Sequence, residues 1–164
     1  MVTTDPTTKA IKELDRLTAA FNKAKELVEE RRKPLHSAIV RHLRERNAPP
    51  GRIADHSPYD RNHIGRIGKE AGVPPIKGPN AVGPAPVYDE DTEAKALAEL
   101  DELTAAFEKA EGMVDTRRTS LHDAIVKHYT ARTLRPGEIA GHSPYDRNHI
   151  GRIVKAADAP RLRP

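Results

Sequence analysis

A chain of 164 residues with 28 Lys and Arg against 24 Asp and Glu carries a net charge of +4, a balance that favours a polyanionic partner without requiring one. It contains no cysteine, which excludes a disulfide framework and a thiolate-ligated zinc site. No apolar run approaches the ~18–20 residues needed to cross a bilayer, and Met1-Val-Thr-Thr-Asp-Pro lacks the basic and apolar regions of a secretory signal, so a soluble cytoplasmic protein with no membrane partner is expected.

Residues 6–33 read as a long amphipathic helix. Pro6 suits its first turn, with Thr4 or Asp5 as cap, and Ile11, Leu14, Leu17, Phe21, Ala24 and Val28 recur at spacings of three and four. Such a stripe resembles a short coiled-coil seam, which pairs with the second long helix of the chain or with a second copy as a homodimer. Pro34 predicts a break or kink before a shorter helix carrying Leu35, Ala38, Ile39, His42 and Leu43. A turn follows at Pro49-Pro50-Gly51, then a short helix with Ile53 and Ala54. Ser57-Pro58 makes a tight turn, Asp60 caps a further helix, and Ile64 and Ile67 give that helix its buried side.

Val73 to Val87 holds five prolines and reads as a semi-extended linker, about fifteen residues that reach roughly 45 Å at ~3.1 Å each. Beyond it the pattern starts again. Leu97, Leu100, Leu103, Phe107, Ala110 and Val114 repeat the stripe, and Leu121, Ala124, Ile125 and His128 repeat the second face, with Ser120 in place of the proline so that the two helices can run on as one. No segment alternates as a strand does, so the fold class is all-α.

The twelve residues His56 to Ile67 recur letter for letter as His142 to Ile153, an offset of 86 that aligns most of the chain with itself. Two modules are expected, 1–73 and 91–164, joined by a Pro/Gly-rich linker over 74–90. Over the 45 positions before the block the copies keep about half their identities, whereas the block itself is unchanged.

Within the block a hydrophobic residue followed by Ala, a turn four residues later and two aliphatics three apart resemble the helix-turn-helix DNA-binding family. With the upstream helices, the chain is similar to small actinobacterial regulators and nucleoid-associated proteins that carry this motif. The departure is Pro58, and Pro144 in the second copy, where the family often has glycine. The resemblance implies double-stranded DNA as partner and a second helix entering the major groove by its N-terminal end. Arg61 and Arg147 then fork onto guanine, and Asn62 and Asn148 pair with adenine. His63, Arg66, His149 and Arg152 follow on the same helices, while Gly65 leaves room for the backbone to approach. Arg52, Ser57, Tyr59, Lys69, Ser143, Tyr145 and Lys155 are candidate phosphate contacts.

A competing reading makes the long helices a docking surface for a protein partner, with the short helices as scaffold only. A metal site at His56, Asp60 and His63, or hydrolytic chemistry at Ser57, His56 and Asp60, lacks the directional agreement between side chains that either chemistry demands, and no cofactor is implied. His42 and His128 sit on apolar faces and read as core or boundary histidines.

Overall fold

Residues 4–158 are described by a computed structural model, so the basic Arg161 and Arg163 lie outside it. The fold is all-α, with six helices among the described residues: α1 (Pro6–Arg44), α2 (Pro50–Asp55), α3 (Arg61–Glu70), α4 (Glu90–Thr130), α5 (Pro136–Gly141) and α6 (Arg147–Asp158).

The break expected at Pro34 is absent, because α1 runs through it for 39 residues. An interior proline removes one backbone hydrogen bond and crowds the preceding turn, at a cost of about 3 kcal/mol. Burial of Val28 on one side and of Leu35, Ala38 and Ile39 on the other holds the helix together across that point. The second copy forms one helix of 41 residues, as Ser120 allowed. It starts at Glu90, inside the expected linker, because Asp89 caps it by accepting the Thr92 amide at 2.9 Å.

The chain divides into two compact units whose limits do not follow the sequence copies. One unit joins residues 1–26 to 112–164, and the other is residues 27–111. The boundaries expected at 73 and 91 therefore do not separate compact bodies, and the Pro-rich segment lies inside the second unit rather than between the two. In the first unit Leu14, Leu17 and Phe21 of α1 pack on Leu121, Ala124 and Ile125 of α4 and on Ile139, Ile150 and Ile153 of the short helices. In the second, Leu35, Ile39, Ile53 and Ile64 are buried together with Leu97, Leu100 and Phe107 of α4.

The polar ties at the edges of these cores occur twice, with the copies exchanging roles. Glu13 accepts from Lys127 Nζ at 2.8 Å and pairs with His128 Nε2 at 3.1 Å; in the other unit Glu99 pairs with Arg41 and, at 3.0 Å, with His42 Nε2. The Lys127 ammonium, with a smaller part from His128, holds the Glu13 carboxyl below its usual range. Thr18 donates to the His142 carbonyl and Thr104 to that of His56, each at 3.1 Å. Asp15 meets His142 Nδ1, and Asp101 meets His56 Nδ1, at 2.8 Å. The apolar stripe of each long helix is thus largely covered inside the chain.

Both long helices end in the same strained cap. Arg46 and Arg132 have φ of 56° and 55°, and the following amides reach back to the carbonyls of His42 at 3.0 Å and His128 at 3.1 Å. This is the Schellman geometry, in which glycine is the usual residue because a Cβ there costs about 1 kcal/mol. The exposed Arg132 side chain makes no hydrogen bond or ion pair among the described residues to offset that cost. Arg132→Gly is expected to stabilise the protein by roughly 0.5–1 kcal/mol, raising the thermal midpoint by ~1–4 °C in a calorimetric scan.

Candidate nucleic-acid interface

The twelve-residue block folds as the end of a short helix, a turn and the start of a longer helix. α2 begins at Pro50 and stops at His56. The Ser57 hydroxyl then donates to the Ala54 carbonyl at 3.2 Å and accepts the Tyr59 amide at 3.3 Å, so the side chain shapes the turn from within. No residue of this turn has positive φ, which is why Pro58 is compatible with it. Asp60 caps α3 by accepting the His63 amide at 2.8 Å, and Asp146 caps α6 through the His149 amide at 2.7 Å.

Behind the start of each helix stands a histidine–tyrosine–histidine stack. The Tyr59 hydroxyl lies 2.8 Å from His36 Nε2, and its ring centroid is 4.3 Å from that of His63. Tyr145 repeats this at 2.9 Å from His122 Nε2 and 4.4 Å from His149. With Ile64 and Ile150 fully buried and Ile67 and Ile153 nearly so, this layer fixes how α3 and α6 are rotated about their axes.

That rotation leaves Arg61, Asn62, Gly65, Arg66 and Lys69 exposed on α3, and Arg147, Asn148, Gly151, Arg152 and Lys155 exposed on α6. The cations of both helices take no part in the ion pairs formed within each unit among the described residues. Arg147 leans back over α5, its guanidinium 3.1 Å from where a Cβ on Gly137 would stand, whereas the corresponding position at Gly51 has nothing within 4 Å. Gly65 and Gly151 are likewise open, with no atom within 4 Å of an added Cβ.

Other expected contacts are already engaged. Ser57 and Ser143 support their turns, the Tyr59 and Tyr145 hydroxyls point to histidines, and Arg52 lies 3.4 Å from Glu93. His56, Asp60 and His63 serve three separate purposes, and no three metal-binding side chains converge among the described residues. His36 and His122 stand at matched places in the two copies, 86 residues apart, and were not singled out as candidates. Their signal was the constant spacing of 23 residues before Tyr59 and Tyr145.

No protein-family model, curated protein or solved structure matches the chain significantly.

Burial, then Arg32 and His63, push the His36 imidazole below its ordinary range; burial, then His149 and Arg118, do the same to His122. The folded protein therefore binds protons at these sites less readily than the unfolded chain. Their stabilising contribution is complete above the ordinary histidine range and is lost as pH falls towards the depressed folded values. Denaturant midpoints measured from pH 7.5 down to pH 5 should fall, and the fall should be shallower in a His36→Gln, His122→Gln variant.

Proposed function

We propose that the chain binds double-stranded DNA through α3 and α6, each the reading helix of a helix-turn-helix. The observation that carries this reading is the composition of the exposed face. Two helices present the same Arg-Asn-x-x-Gly-Arg surface, it lies outside the internal ion pairs, and a glycine sits in its middle. Arg matches the two acceptors of guanine, Asn matches the donor and acceptor of adenine, and both pairings are bidentate in the major groove. Arg66, Lys69, Arg152 and Lys155 stand further along the same helices as phosphate contacts. Because the two faces are alike, the target contains two similar half-sites. A transcription regulator and a nucleoid-associated protein both employ such contacts, and the base-matching side chains favour sequence preference over backbone binding alone.

Arg61→Ala with Arg147→Ala is expected to weaken binding to a duplex selected from a random pool by about 1–3 kcal/mol per head. Wild-type affinity should fall linearly on a log–log salt plot, by roughly 0.9 per phosphate neutralised. Unchanged affinity in the double variant, or a flat salt plot, would sink the reading.

The glycines provide a separate check. A mid-helix glycine costs ~0.5–1 kcal/mol relative to alanine, and open space at Gly65 and Gly151 means the fold itself does not demand one. Close approach of a groove wall to the helix backbone accounts for both. Gly65→Ala with Gly151→Ala should raise the thermal midpoint while lowering duplex affinity, measured by calorimetry and by fluorescence anisotropy on the same preparations.

A further inference from the structure

The Pro-rich segment is not a bare tether. The Arg46 guanidinium, at the strained end of α1, donates to the carbonyls of Val82 at 3.2 Å and Pro84 at 3.3 Å. Those bonds hold the returning limb of the segment against its own unit. The outgoing limb leaves α3 through Gly72, whose φ of 77° turns the chain sharply, and the Val73 amide reaches back to the Gly68 carbonyl at 2.9 Å. Between the limbs and the start of α3 lies a groove of about 850 Å³, lined among others by Pro49, Tyr59, Arg61, Ile76, Lys77 and Tyr88. Ile76 and Tyr88 are half-buried in it and Lys77 is exposed. Arg52 also faces the groove but pairs with Glu93 at 3.4 Å. Asp55 and Asp60 line it too, and the Asp60 carboxylate is occupied by the His63 amide. Lys77 and Arg61 are thus the cations on this groove that lack a carboxylate partner among the described ion pairs.

We propose that residues 73–88 form a fastened arm of the first DNA-binding head, in which Ile76 is the anchor, Arg46 the clasp and Lys77 an additional contact to a duplex phosphate beside Arg61. The proposal rests on the DNA-binding reading and extends its footprint beyond the repeated block. A sequence feature independent of the groove supports it. At the same offset of 86, Pro74, Ile76 and Lys77 correspond to Pro160, Leu162 and Arg163, so a proline, an aliphatic and a cation follow both reading helices where the intervening letters differ. The segment carries one cation and no carboxylate from Val73 to Val87, which makes it electrostatically acceptable beside a polyanion. Seating it on the head also removes chain freedom before binding, so that a lysine on an otherwise flexible stretch needs less ordering when the phosphate arrives.

The test uses the full chain and a duplex selected by the wild-type protein, with affinity followed from about 50 to 300 mM salt. Lys77→Ala is expected to weaken binding severalfold and to reduce the log–log slope by about 0.9, the share of one phosphate. Arg46→Gly keeps the positive-φ helix end but removes the clasp, and should weaken binding in the same direction. Arg132→Gly makes the same backbone change at a side chain that holds no carbonyl among the described residues, and should leave affinity unchanged. A Lys77→Ala protein with wild-type affinity and slope overturns the arm. Equal behaviour of Arg46→Gly and Arg132→Gly overturns the clasp. Should the wild-type chain show no salt-dependent duplex binding, the DNA reading itself fails. If Arg61→Ala with Arg147→Ala abolishes binding while Lys77→Ala does not change it, the arm alone fails.

Discussion

The structure depends on covering an apolar stripe that is longer than its own copy can cover. α1 presents buried side chains from Ala10 to Ile39, and the short helices that follow it in sequence reach only its last turns. A bare stripe of Leu14, Leu17 and Phe21 would forfeit roughly 1.5–3 kcal/mol for each large side chain left in water. The chain meets this by exchange, since the first part of each long helix packs with the later part of the other copy. Each short-helix head is consequently buttressed by residues from both copies. Duplication thus completes the core of each head and does not merely double the number of heads, which also explains why neither copy forms a compact unit on its own residues.

That exchange places polar ties where they orient the heads. Asp15 and Asp101 hold the histidines at the ends of α2 and α5, and Thr18 and Thr104 take up the carbonyls of those same residues. The end of a short helix has carbonyls without intrahelical partners, so a hydroxyl from the long helix satisfies a group that the turn would otherwise leave unpaired. His56 and His142 therefore act at the joint between long helix and turn, not on the exposed face. His36 and His122 act one layer deeper, behind the tyrosines. Four of the histidines in the repeated set thus position α3 and α6 without standing on their exposed faces.

Much of this was legible as pattern. The stripe, the second apolar face, the Asp60 cap and the core roles of Ile64 and Ile67 follow from spacing that any helix must respect. Two features were not legible, for physical reasons. Pro34 carries a local penalty that predicts a break, yet tertiary burial on both sides exceeds it, and no local rule contains that term. The exchange between copies was equally hidden, because identical stripes satisfy one another within a copy, across copies or between chains with the same pattern. Drift between the copies is also tied to packing. Gly68 is buried against Leu43, whose Cδ1 would lie 3.2 Å from an added Cβ; at the same two places the second copy has the buried Val154 and the exposed Tyr129. The larger residue on the short helix accompanies a side chain that turns out of the core, a correlated change visible only once the two positions are known to touch.

The repeated block can now be divided by cause. Ser57, Tyr59, Asp60, His63, Ile64 and Ile67 each have an internal reason to be what they are: a turn bond, a ring stack, a helix cap or a core contact. His56 is held by Asp101 and Thr104. Packing and capping therefore account for more than half of an identity that at first invited a wholly functional explanation. What remains without an internal cause is Arg61, Asn62, Gly65 and Arg66, with Pro58 at the turn. Arg61, Asn62, Gly65 and Arg66 are all exposed, and they occupy one helix whose rotation the buried layer fixes. Solvent alone places no demand on the order Arg-Asn-x-x-Gly-Arg, and a helix left to its own propensities would not keep glycine at that position. The two exposed faces thus share a surface to which no internal cause is attached, and it is the surface that the proposed contact would use.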